Sequence, residues 1–420
     1  RSGARGRRRR NGHIAGGSER MNPQRRNLYI LTFVLFVVML GYGIVTPIFP
    51  FYIESMNAGG MELGLLAASY AAMRLIFGPI WGGLSDRFGR KPILLIGIVG
   101  YVVTMTWFGL ATQLWMLFAA RILAGTLSSA TAPTTMAYVS DSTPEDERGG
   151  GMGLLGAAGG IGTILGPVLG GFLAGTSLSL PFFLAAGMAL LSLILAVLFL
   201  PESHPAQAQD REATKALVDL RAWWQALFSP IGPLFVLTFI STSGLMVFAN
   251  VFGLYGMARF AYGPEEVGVV MMVLGLASAL TQGLLAGPAI RRWGDERAVR
   301  LGLLATALGF GLLLLANSFV TVMLATTFFA VAFSITNPAL LSLTSRRATV
   351  EQGIAMGLSN SFVSLGRIVG PVWAGFIFDV NVKYPYLSGA AIMFAGFLIS
   401  LICIAQRKSE RPATGRYRLG

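Results

Sequence analysis

Twelve stretches of mostly apolar residues, parted by short polar or glycine-proline breaks, account for most of the chain. A helix needs about 20 such residues to cross a hydrocarbon core of about 30 Å, and lipid offers no partner to an open sheet edge. The stretches run 28–53, 62–84, 92–112, 114–139, 150–175, 180–200, 232–257, 265–290, 299–317, 319–344, 352–378 and 385–405. They predict an all-α integral membrane protein of twelve transmembrane helices. Composition agrees, since 54% of the 420 residues are hydrophobic and 12% are charged, about half the charge of an ordinary soluble domain. Cys403 is the single cysteine and His13 and His204 are the only histidines, so neither a disulfide framework nor a Cys/His metal set is available. No cofactor or metal is expected.

The longest polar stretch between spans, 201–231, splits the spans six and six. The expected organisation is a basic N-terminal segment 1–27, a bundle over 28–200, a linker over 201–231, a second bundle over 232–405 and a tail over 406–420. Residues 1–20 are rich in Arg and Gly, precede Met21, and read as an extension outside the fold.

The net charge of +13 suggests a nucleic-acid partner until the charges are placed. With the N-terminus inside, 27 of the 32 Lys and Arg fall in cytoplasmic segments, counting Arg300 at the inner edge of its span, two fall outside (Arg259 and Lys383), and three lie deep within spans. Such a bias puts both termini in the cytoplasm and makes the protein a multi-pass plasma-membrane protein. The positive charge then orients the chain, and nucleic acid drops out as a partner.

The two halves share a register. Gly78, Gly82 and Gly89 match Gly283, Gly287 and Gly294 at an offset of 205, as Pro133 matches Pro338; Met152, Gly162, Gly166 and Pro167 match Met356, Gly366, Gly370 and Pro371 at 204. Close helix packing explains each glycine alone but not the common spacing. A duplicated chain of this kind predicts two related six-helix bundles around a site near the bilayer midplane, exposed alternately by rocking.

Three motifs carry a resemblance. Gly82-Gly-Leu-Ser-Asp86-Arg87-Phe-Gly89-Arg90-Lys91 resembles the signature loop after the second span of the major facilitator superfamily, where it latches the inner side of the outward-open state. Gly89 permits a tight turn, and Asp86 is an anion placed to cap a neighbouring helix. Arg121-Ile-Leu-Ala-Gly125 is similar to the superfamily's intramembrane arginine motif, which is associated with proton coupling. Gly162-Thr-Ile-Leu-Gly166-Pro167-Val-Leu-Gly170-Gly171 is similar to the motif of the antiporter branch, a side-chain-free helix face that closes the outer side against the other bundle. Together the motifs resemble the twelve-span bacterial drug:proton antiporters. The resemblance implies a monomeric transporter of small amphipathic molecules, with the proton as coupling ion.

The chain departs from that group in its charges. None of its 19 carboxylates lies in the middle of a span, whereas related exporters of cationic drugs often carry a buried acid there. The spans hold Arg74, Arg121 and Arg367 instead, each between the midplane and the outer half of the bilayer at about 1.5 Å per residue. A charge at that depth costs about 3 kcal/mol unless it faces water or a partner. Arg121 reads equally as a contact to backbone carbonyls or as a coupling group, with Asp141 and Asp379 as the coupling acids. Arg74 and Arg367 have Ala279 and Thr163 as repeat-mates, so symmetry does not explain them. Either they bind carbonyls at a helix break, or they form a basic floor for an anionic or zwitterionic head group.

By the same resemblance the drug cavity holds the aromatic residues Tyr42, Phe248, Phe252 and Phe333; Asn250, Gln282, Asn337 and Asn360 are polar candidates for the same cavity, and each reads equally as a bridge between helices. The leading expectation is proton-coupled efflux of amphipathic molecules with an anionic bias. The alternatives are a flippase or transporter for an anionic lipid or lysophospholipid, and a non-transporting sensor on the same fold. No nucleophile-base pair or phosphate loop is present, so an enzyme is not expected.

Overall fold

The computed structural model describes residues 23–203, 228–229, 231–348 and 352–405. The N-terminal segment before residue 23, most of the linker and the tail beyond 405 lie outside the described residues. Among the described residues, twelve helices are long and apolar enough to cross a membrane. The first six are α1 (Pro23–Ser55), α2 (Gly60–Phe88), α3 (Arg90–Leu110), α4 (Leu114–Ser142), α5 (Glu145–Thr176) and α6 (Leu180–Phe199). The second six are α7 (Gly232–Phe260), α8 (Pro264–Trp293), α9 (Asp295–Leu315), α10 (Phe319–Arg347), α11 (Gln352–Val380) and α12 (Tyr384–Ala405). All twelve coincide with the predicted spans, which mostly stop short of the helix ends because polar terminal turns continue the backbone hydrogen bonds beyond the apolar stretch.

Local chemistry repeats as the sequence register does. The Glu62 carboxylate accepts the Gly59 N–H at 2.8 Å and the Glu266 carboxylate accepts the Gly263 N–H at 2.9 Å, so α2 and α8 begin with the same cap. The two helices also lose regularity at the same register: α2 carries Pro79, and α8 passes through a π turn at Thr281–Leu285.

Packing follows the duplication. Within the first half α1 packs on α5, α2 on α4 and α3 on α6; within the second half the corresponding pairs are α7 with α11, α8 with α10 and α9 with α12. The halves meet through α2 with α11 and α5 with α8, a pair of contacts that exchange under the repeat. Each half has its own apolar core, the second dominated by Phe248, Phe252, Phe310, Phe329 and Tyr386.

A basic cavity closed at one end

In the alternating order of the helices, the ends carrying Asp86 to Lys91, Glu145 to Arg148, Arg291 to Arg297 and Arg346 fall on one side, the basic end; the other is the far end. At the far end the bundles touch. The Asp379 carboxylate at the close of α11 accepts the Gly60 N–H at 2.7 Å and the Met61 N–H at 2.8 Å, capping α2 of the opposite bundle. Below that cap, α2 and α11 run backbone to backbone, so a methyl group on Gly375 would lie 2.0 Å from the Gly60 carbonyl oxygen. The second seam joins α5 to α8, where a methyl group on Gly171 would lie 2.4 Å from the Pro264 carbonyl oxygen.

Toward the basic end the same helices separate. Beside Gly78 and Gly82 of α2, Gly156 of α5, Gly283 of α8 and Gly357 of α11, no atom stands within 4 Å of where a side chain would begin. Between the open and closed ends lies a central cavity of about 840 Å³, within the range of small-molecule sites.

Most of the expected substrate residues meet there: Arg74, Arg367, Tyr42, Asn250, Gln282, Phe333 and Asn360 all line the cavity. Both repeat-mates of the arginines, Ala279 and Thr163, also line it, so one set of symmetric positions holds arginine on one side and a small residue on the other. Three expected residues do not take part. Phe248 and Phe252 are 0% exposed and belong to the aromatic core of the second bundle, with Phe248 stacked on Phe329 at 4.5 Å. The reason is helical period: Met246, Ala249 and Asn250 share the cavity face of α7, and positions 248 and 252 fall on another face. Asn337 is exposed outside the cavity.

The cavity is cationic. Among the described residues its charged lining consists of Arg74, Arg121 and Arg367, with no carboxylate. None of the three guanidiniums makes a hydrogen bond or ion pair among the described residues, which removes the carbonyl-bound reading of each. Arg121 lies over the rings of Phe49 and Tyr70, at 4.3 and 5.3 Å from their centroids. Sequence reasoning missed Tyr70, Phe49 and Met246. The first had a legible signal, since Tyr70 and Arg74 are one helical turn apart on α2.

The motif residues have definite structural partners. Gly89 has φ 100°, and a side chain there would strike the Glu202 carboxylate, which accepts the N–H of Arg90 at 2.8 Å and of Lys91 at 3.1 Å. Glu202 therefore caps α3, while Asp86 pairs with Arg90 and, among the described residues, caps no neighbouring helix. Arg90 also holds Asp141 at 2.8 Å, so Asp141 is placed in a loop cluster at the basic end, away from the cavity. Arg87 lies over Phe88, and Lys91 donates to the Val197 carbonyl at 3.1 Å. In α5, Gly162, Gly166 and Gly170 face α1 of their own bundle; contact with the other bundle falls to Ile164, the Pro167 carbonyl and Gly171, against Gly275, Gly268 and Pro264. The expected inter-bundle face is narrower than the motif, because α5 must pack on two partners at once.

Residues 31–263 and 234–419 match the profile of the Major Facilitator Superfamily. The chain belongs to the major facilitator superfamily. This superfamily member is 31% identical over 397 residues to multidrug resistance protein 2 of Bacillus subtilis, covering 94% of this chain and 98% of that one. It is 27% identical over 382 residues to the quinolone resistance protein NorA of Staphylococcus aureus, covering 91% and 97%. Among solved structures, the nucleoside transporter NupG superposes with a TM-score of 0.76 at 16% identity, covering 92% of this chain and all of that one. The protein is thus a multi-pass membrane transporter of this superfamily, with multidrug-resistance relatives.

Proposed function

We propose that this transporter is a proton-coupled exporter of amphipathic small molecules, working as a monomer by alternating access, with a preference for anionic or zwitterionic substrates. The observation that carries the preference is the cavity itself, where among the described residues three guanidiniums have no hydrogen-bond or ion-pair partner and no carboxylate stands among the aromatic and methionine side chains. A cationic drug entering it would meet like charges and no counter-ion, whereas an anion gains charge-assisted hydrogen bonds. Tyr42, Phe333, Met246 and Met271 give the apolar part of a substrate adaptable contacts, which suits tolerance of several ligands.

The positive-inside bias supports an orientation with the basic end and both termini in the cytoplasm. In that orientation the cavity is open inward and sealed outward by the Asp379 cap and the Gly171 seam, the state in which an exporter loads. With no acid in the cavity, the coupling proton is carried by Asp379, Asp141 or the substrate's own acid group. The relatives' names, multidrug resistance and quinolone resistance, support export.

The test is transport into inverted proteoliposomes with and without an imposed pH gradient. Replacing Arg74 and Arg367 together by Gln is expected to abolish transport of anionic amphiphiles and leave neutral ones nearly unchanged. Equal loss of both classes refutes the anionic preference, and transport indifferent to the pH gradient refutes proton coupling.

A further inference from the structure

Arg121 is the cavity group whose surroundings are most nearly a finished site. It is 8% exposed and lines the cavity, yet its Nε is buried without a hydrogen-bond partner. No carboxylate, carbonyl or hydroxyl among the described residues accepts from its guanidinium. The planar group is held by stacking instead, over Phe49 at 4.3 Å and Tyr70 at 5.3 Å, and the Tyr70 ring in turn stands 6.2 Å from that of Tyr42, which is 39% exposed to the cavity. Rings cover its faces and satisfy none of its N–H groups, because a cation–π contact is made through the face.

A guanidinium this enclosed, with no protein acceptor and its terminal nitrogens facing the cavity, is an arrangement that an anion completes. The chemistry of the wall selects the anion. An N–H edge offers two parallel donors, the match for one carboxylate. Phe49, Tyr42 and Tyr70 add only rings and two hydroxyls, so a phosphate with its extra charge and third acceptor oxygen would be left with lone pairs unfilled. The exposed Tyr42 ring beside the guanidinium then offers a stacking surface to a flat apolar group attached to that carboxylate.

We propose that Arg121, with Tyr42, Phe49 and Tyr70, forms a preorganised subsite for the carboxylate of an aromatic monoacid. The proposal rests on the anionic preference argued above and gives it a location, the first bundle. It makes Arg121 a direct ligand of the substrate and leaves Arg74 and Arg367 to the remainder of a larger molecule.

The experiment is isothermal titration of the purified full-length protein at neutral pH with naphthoate and with its neutral analogue naphthamide. Unmodified protein is expected to bind naphthoate more tightly. Arg121→Gln should weaken naphthoate by about tenfold or more, which is about 1.4 kcal/mol, and change naphthamide by less than about twofold. Arg121→Lys keeps the charge without the planar fork and should show the same loss, which decides the matter if the Gln variant does not fold. Naphthoate binding unchanged in both variants, or lost together with naphthamide, overturns the subsite. If naphthoate survives Arg121→Gln but is lost in the Arg74→Gln, Arg367→Gln protein, the subsite is wrong and the anionic preference stands. If neither variant loses it, both readings fall.

Discussion

The Asp379 cap predicts a measurable shift of the conformational balance. Its two carboxylate oxygens accept the Gly60 and Met61 N–H groups at 2.7 and 2.8 Å, across the seam between α11 and α2. Both oxygens act together as one N-cap on a seam that opens to water, and losing such a cap costs about 1–2 kcal/mol. Asp379→Ala should therefore raise the outward-open to inward-open ratio by about 5- to 30-fold, and Asp379→Asn, which keeps one good acceptor, by less. Spin labels at Ser55→Cys on α1 and Lys383→Cys beside α12, in a Cys403→Ser background, report the far-end separation by pulsed electron resonance. The longer distance should grow in the Ala variant. An identical distance distribution in Asp379→Ala and unmodified protein would refute the assignment of the cap as an outer latch.

Other expectations are of the same kind. Gly171→Val places methyl groups against the Pro264 carbonyl and should hold the far end ajar, seen as lost transport with the same label pair reading long. Phe248→Ala empties the aromatic core of the second bundle and should cost about 3–5 kcal/mol, a large fall in Tm, without altering which substrates are preferred. Phe333→Ala, at the cavity wall, should shift the substrate profile in a transport panel more than it lowers Tm. Glu202→Ala uncaps α3 at Arg90 and Lys91 and should lower stability by about 1 kcal/mol, read as a Tm decrease with transport retained.

Much of this architecture was legible because the bilayer is a severe solvent. Spans of about 20 apolar residues can only be helices there, so their number and order follow from a hydropathy count. The repeat register was also readable, and the structure honours it down to the paired caps of Glu62 and Glu266. Rotation about each helix axis was harder. On α7 the sequence offers Phe248, Asn250 and Phe252 within five residues, and hydrophobicity cannot separate a ring that faces a drug from one that faces a neighbouring helix, since lipid, core and substrate are all apolar. The same ambiguity hid Tyr70 and Phe49. It also made the antiporter motif look like one interface when its glycines serve two, Gly162, Gly166 and Gly170 toward α1 and Gly171 toward α8.

The sequence by itself determined that twelve helices are arranged as two related halves, which end is basic, and that three arginines sit at membrane depth without a carboxylate on any neighbouring turn. Each of these depends on composition along one helix, or on a comparison of the chain with itself. Only the tertiary structure decided that Arg74, Arg121 and Arg367 share one cavity with no acid in it, that Asp379 reaches across 319 residues to cap α2, and that the molecule is shut at the far end. Those facts depend on how the bundles are rotated against each other, and a sequence read one span at a time carries no term for the contact between two helices.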